Sequence, residues 1–479
     1  MPLEGGLNAP AAISRVGVGI DRIFQIPARN HAVPILQLFA LAVMVIPSDT
    51  VIKPIGAQGY PAALIGMFAF AVFAAATLLG LHDALRHRHP VRAALCVLWL
   101  SVLASYVLMD RTARTETELL AADRLLMQLL VITGVALVAA ECLNSLRDVR
   151  RVLRALTWGG AFCGLVAALQ FWISLDITPY LRELPAFTVN QDSAAIVARG
   201  SLNRAAGTSL TQIELGVVAG MLLPLALYLA IYDTELSARK RWAPVVLIWL
   251  AVITSVSRSG IISVAVAAAV LVALMPTRQR LVALCVAPLA IAGVFVSAPG
   301  VIGTLARFFL AGTSDDSVKA RVMDYPVVDR LVNEAPWFGH GGWTYMPENT
   351  IFILDNQWLK TAVELGVVGV VALAVYFLVP LISALVARRH SEDPELRMLS
   401  AALAGAALAA AVCSLTFDSL SYPMFWNVYA LVIGLIGACW RLAAAGRTTA
   451  PPGTRRGPSA TNLRAGEPST TRTVLSEGG

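Results

Sequence analysis

Charge is what this sequence has least of. Only 14% of its 479 residues are Asp, Glu, Lys or Arg, 57% are hydrophobic, and the mean hydropathy is +0.70. Soluble chains carry about 25% charged and roughly 45–50% apolar residues. So little charge cannot cover a water-facing surface, which excludes a soluble enzyme, a disordered protein and a nucleic-acid binder. Cysteine is scarce too. Cys96, Cys142, Cys163, Cys285, Cys413 and Cys439 sit within apolar runs or at their ends. They read as small buried hydrophobes rather than disulfides or metal ligands. The histidines show no metal-ligand spacing; His87 and His89 come nearest, in what reads as a charged loop. No internal repeat is evident, and the polar, basic segment 1–32 lacks a cleavable signal-peptide pattern.

What the sequence has in abundance is long apolar runs. A membrane-crossing helix needs about 20 mostly apolar residues. Runs of that kind occupy 33–47, 61–82, 91–109, 124–142, 155–175, 209–232, 242–256, 259–275, 281–300, 361–387, 397–415 and 422–440. The block 242–275 would make one helix of about 51 Å at ~1.5 Å per residue, against a hydrocarbon core of ~30 Å. It therefore breaks, at Ser257-Arg258-Ser259-Gly260, where charge and glycine interrupt the apolar run. The expectation is an all-α, polytopic integral membrane protein with about twelve transmembrane helices.

Arginine placement orients the spans. Alternate connections are short and basic: Arg86, Arg88 and Arg92; Arg147, Arg150, Arg151 and Arg154; Arg239, Lys240 and Arg241; Arg278 and Arg280; Arg388 and Arg389. The N-terminal segment and the tail fall on the same side. All are cytoplasmic if both termini are, which turns the net charge of +7 into a positive-inside signature. The chain then divides into a cytoplasmic segment 1–32, a membrane domain 33–440 and a tail 441–479 whose Pro, Thr, Ser, Gly and Arg content reads as disordered. The two long outer-face loops are 176–208 and 301–360, and the second, rich in aromatics, is expected to be helical.

The polar peculiarities gather on that outer side. Arg258 stands between two short apolar helices, Arg204 just before the span at 209–232, and Arg321 and Arg330 in the large loop. The guanidinium fork suits phosphate oxygens, so a converging set of arginines points to a phosphorylated ligand. Arg258 has the alternative of snorkelling at a helix end, and Arg330 that of a solvated loop charge. Nine positions apart, Arg321 and Arg330 face opposite sides of one straight helix and converge only if the chain bends, for which Pro326 is the candidate. Trp343 and Tyr345 either stack on sugar rings or anchor the loop at headgroup level.

Several short motifs then fall in a telling order. Ser257-Arg258-Ser259-Gly260 resembles the SRSG element of the O-antigen ligase and O-antigen polymerase superfamily, and Pro336-Trp-Phe-Gly-His-Gly341 is similar to its P-x-x-G-x-G turn. Asp355-Asn356-Gln-Trp-Leu359 followed by Glu364-Leu-Gly-Val-Val-Gly369 resembles the (H/D)-N-x-x-L…E-x-G-x-x-G signature. Arg204-Ala-Ala-Gly-Thr208 with Ile213-Glu214 resembles the R-x-x-G-T element. Together they cover roughly 195–440.

The resemblance implies a GT-C-like, metal-independent, inverting glycosyltransferase without cofactor in a bacterial inner membrane. Its donor is a polyprenyl (undecaprenyl) diphosphate-linked oligosaccharide, and its acceptor is a sugar hydroxyl of a glycan or of another lipid-linked glycan. Arg258 and Arg321 would hold the diphosphate with help from Arg204; fixed cations then stabilise the leaving group. Asp355 stands where ligases of the family generally have histidine, a form that resembles polymerase-like members more. It can accept the acceptor's proton, or cap the helix at 361–387, or both. Asn356, His340 and Tyr345 complete the expected substrate contacts, with His340 and Glu348 as understudies for the base, although His340 also reads as an exposed loop imidazole. Two other classes compete: a transporter or flippase of the same lipid-linked glycan, for which Glu214 inside a span is the most helpful residue, and a non-catalytic scaffold, in which Arg258 and Arg321 would tolerate substitution.

Overall fold

The computed structural model describes residues 31–56, 59–83, 88–190, 195–199, 202–297, 316–347, 349 and 352–449. The described residues are mostly helical, with four short strands. In order come α1 (Ala32–Val45), β1 (Thr50–Ile52), α2 (Pro61–Leu78), α3 (Pro90–Leu108), α4 (Glu116–Cys142), α5 (Leu146–Ile173) and the short α6 (Thr178–Arg182). Then follow β2 (Phe187–Val189), β3 (Ile196–Arg199), β4 (Leu202–Ala205), α7 (Gln212–Tyr232), α8 (Ala238–Ser255), α9 (Arg258–Leu274) and α10 (Thr277–Ser297). Last among the described elements come α11 (Asp316–Glu334), α12 (Gln357–His390), α13 (Pro394–Cys413) and α14 (Pro423–Thr449).

Each apolar run of the sequence carries one helix. Their starts are set by local chemistry: Thr115 and Glu118 form a reciprocal capping box for α4, Ser145 and Thr211 cap α5 and α7, and Pro61, Pro90 and Pro394 open α2, α3 and α13. Among the described residues eight helices are long and apolar enough to cross a membrane: α2, α3, α4, α5, α7, α12, α13 and α14. Helices α1 and α9 are apolar but shorter, and α8 opens on Arg239, Lys240 and Arg241. The block 242–275 does divide, with α8 ending at Ser255 and α9 beginning at Arg258. These helices make the chain a multi-pass, all-α membrane protein.

Helices α7 and α13 are the most enclosed, and α2 and α3 turn much of their apolar surface outward, as Phe68, Leu100 and Val107 do. Two cysteines depart from the buried reading. Cys96 and Cys285 are exposed, while Cys163, Cys413 and Cys439 are buried. In a lipid-facing helix an apolar run has no need to be inside, so hydropathy alone does not report burial.

The helix ends sort into two faces. At one, Glu141 has a side chain with no exposure and meets His82 at 2.7 Å, His89 at 3.1 Å and the guanidinium of Arg92. His89, expected in a charged loop, is therefore buried against a carboxylate. Arg150 pairs with Glu395 at 2.6 Å, which also accepts from the Tyr228 hydroxyl at 2.8 Å. Arg154 grips Asp233 and, at 2.5 Å, Glu235, whose carboxyl it holds below the ordinary value. The basic connections of the sequence thus share one end of the bundle. The opposite end gathers the two-stranded ladders β1–β2 and β3–β4, both antiparallel, together with the loops that bear the motifs.

Candidate functional site

The site is built from three junctions at that second end. At the first, Val256 takes φ +43 and turns the chain from α8 into α9. Ser257 caps α9 and Arg258 is its first residue, half-buried at a helix N-terminus, where the dipole favours anions. Gly260 lets α9 lie directly on α7: a Cβ there would stand 2.9 Å from the Gly216 Cα. On β4, Arg204 donates through Nε to the Ser255 carbonyl at 3.1 Å. Arg204 and the Arg258 junction are thereby brought together.

Below them Glu214 is fully buried, and backbone claims both its oxygens: Leu210 N–H at 2.7 Å and Phe425 N–H at 3.0 Å. It ties the loop before α7 to the start of α14.

The second junction is the start of α12. Asn356 is the cap, its Oδ1 accepting from the N–H groups of Trp358 at 2.9 Å and Leu359 at 3.3 Å. The capping role considered for Asp355 therefore falls one residue later, and Asp355 itself is exposed. Gln357 N–H donates to the carbonyls of Ser414 at 3.0 Å and Phe417 at 3.2 Å. Thr416, between those two, donates to the Ser259 hydroxyl at 2.8 Å. The loop 414–422 thus links the neighbour of Arg258 to the neighbours of Asp355. Lys360, one turn into α12, reaches Asp418 at 3.3 Å and Ser421 at 2.8 Å in the same loop. Burial pushes the Tyr422 hydroxyl well above the ordinary tyrosine value, and the carboxylates of Asp418, Asp355 and Glu214 add to the rise.

The third junction explains two glycine motifs at once. Helix α12 kinks at Gly366, where φ is +66 and ψ −164. The kink releases backbone groups that the turn 335–341 takes up: His340 N–H to Val363 O at 3.0 Å, Gly341 N–H to Glu364 O at 2.9 Å, and Val367 N–H to Pro336 O at 2.9 Å. Gly339, also at positive φ, lies so close that a Cβ would stand 2.3 Å from the Glu364 carbonyl carbon. The Glu364 side chain is buried behind this turn, with Oε1 left without a hydrogen-bond partner. The turn and the kink are one interlocked unit.

That unit accounts for two expected substrate residues. His340 Nε2 lies 2.9 Å from the Leu331 carbonyl and 4.0 Å from Glu334, tying the turn to α11. The Tyr345 hydroxyl donates to the Phe352 carbonyl at 2.8 Å, and Trp343, at φ +61, lines a cavity. Arg330 is 70% exposed beside Glu334, a solvated charge on α11, which runs through Pro326 as one helix. Arg321 lies on α11, with its side chain outside the described residues, as are Glu348, Phe308 and Phe309. Lys360 and Tyr422 were missed by sequence reading. A lysine inside an otherwise apolar helix was the available signal; a tyrosine at a span's edge gives none.

The fold and this site together define a multi-pass membrane protein with a polar, arginine-bearing centre at one end of its bundle. Residues 243–374, from the start of α8 into α12, match the family described as O-antigen ligase. This domain supports the O-antigen ligase and polymerase superfamily for the chain, and with it a glycosyl-transferring activity of ligase or polymerase type in surface-polysaccharide assembly. No curated protein matches the chain.

Proposed function

We propose that the protein moves a glycan from a polyprenyl-diphosphate-linked donor to a sugar hydroxyl at the outer face of a bacterial inner membrane, with inversion and without a metal ion. The observation that carries this reading is the Arg204–Arg258 junction at the N-terminus of α9, joined through loop 414–422 to Asp355. In this scheme the diphosphate sits against Arg258, Arg204 and the helix N-terminus, with Arg321 approaching from α11. The acceptor hydroxyl oxygen attacks the anomeric carbon and the bond to the diphosphate oxygen breaks. Asp355 takes the hydroxyl proton, and the cations hold the charge that develops on the leaving group. A single displacement inverts the anomeric centre. Both termini are cytoplasmic in this scheme, which places the basic face inside.

The test is the purified protein in nanodiscs with a polyprenyl-diphosphate-linked oligosaccharide, following polyprenyl diphosphate release and glycan size. Release with a ladder of longer glycans identifies a polymerase, and release with one fixed-size conjugate a ligase. Movement of intact lipid-linked glycan across proteoliposomes without release would replace this reading with transport.

A further inference from the structure

A cavity of about 170 Å³ opens beside this site, between α2, α4 and the start of α14. Among the described residues Arg124, two turns inside α4, is its only cation and no Asp or Glu lines it. Arg124 has neither hydrogen bond nor ion pair among the described residues, and its buried Nε is unpartnered. The adjacent Asp123 accepts from the Tyr106 hydroxyl at 2.7 Å instead. One turn on, Gln128 is 5% exposed; its amide nitrogen donates to the Leu420 carbonyl at 2.9 Å, which leaves its buried Oε1 without a partner. Opposite, Asn190 donates to the Tyr60 hydroxyl at 2.9 Å, and Trp343 and Trp426 close the walls.

An unpaired guanidinium, an idle amide oxygen, a Tyr–Asn pair and two indoles make a lining that suits one sugar ring bearing an anionic group. The indoles offer apolar faces to C–H groups, Gln128 and Tyr60 take hydroxyls, and Arg124 takes the acid. Arg258 lies elsewhere: loop 414–422 meets Ser259 through Thr416 and reaches this cavity through Ser421. We infer that the Arg124 cavity is an acceptor-side subsite for a sugar carrying a carboxylate or phosphate, separate from the donor's diphosphate. The word acceptor rests on the transferase reading; the binding site itself does not.

The experiment is titration calorimetry on the full-length protein in nanodiscs, without donor lipid. The probes are a galacturonate trisaccharide, a hexose 6-phosphate, and the neutral galactose trisaccharide and hexose. Wild type is expected to bind at least one acidic probe about tenfold more tightly than its neutral counterpart, with the preference shrinking as salt rises from 50 to 500 mM. Arg124→Gln should abolish the preference, Arg124→Lys should restore part of it, and Arg258→Ala should leave it intact. Equal binding of acidic and neutral probes, a preference that survives Arg124→Gln, or displacement of the acidic probe by inorganic pyrophosphate overturns the inference. If a variant fails to fold, the salt dependence of the wild-type preference decides. Binding without any donor turnover would retain the subsite and count against the transferase reading alone.

Discussion

Asp355 is exposed one residue before the cap of α12, so its substitution separates chemistry from folding. If it takes the acceptor proton, Asp355→Asn lowers kcat by ~10²–10⁴-fold and leaves the melting temperature in place. Asn356→Ala does the reverse in part: it removes a cap, costs about 0.5–2 kcal/mol, and shows as a lower melting temperature. Initial rates and thermal melts on the same preparations check both. Asp and Asn are equally good caps, and nothing in their order tells which carries the role; only the backbone at 356 decides. The same holds for His340 and Tyr345. Their types suggest substrate contact, but their partners are carbonyls of Leu331 and Phe352, from segments that no local pattern ties to them.

Helices were the legible elements. Apolar runs of span length are read from hydropathy alone, and the break at Ser257 was visible because charge and glycine interrupt a run too long for one span. The kink at Gly366 was not, because it interrupts no apolar run, and strands of three or four residues are too short to show alternation. Gly366→Ala tests the kink. Its Cβ would stand 2.4 Å from the Trp337 carbonyl carbon at a φ of +66, where L-residues pay about 1–2 kcal/mol before any clash. The expected result is a lower melting temperature and new proteolytic cuts within 335–345; wild-type resistance would mean that the turn does not depend on the kink.

At the scale of the molecule, the alternation of basic connections already separated the helix ends into two faces, and the structure groups those ends as the alternation requires. Which face is outside rests on the positive-inside rule. In a cysteine-free background, Glu235→Cys should react with an impermeant maleimide only in inverted vesicles, and Arg330→Cys only in intact cells. The opposite pattern would reverse the topology and with it the outer-face site. What sequence left hidden here is the long-range packing: loop 414–422, in no motif, is the piece that joins Ser259, next to Arg258, to Gln357, two residues after Asp355.

The central claim is that the α9 junction holds the donor's diphosphate, and it is tested most directly by polyprenyl diphosphate release from the reconstituted protein. Wild type is compared with Arg258→Ala and with Arg330→Ala, which alters an exposed charge on α11. The account predicts that Arg258→Ala slows release by ~10²–10³-fold while Arg330→Ala keeps the wild-type rate. Equal rates in all three proteins would contradict it.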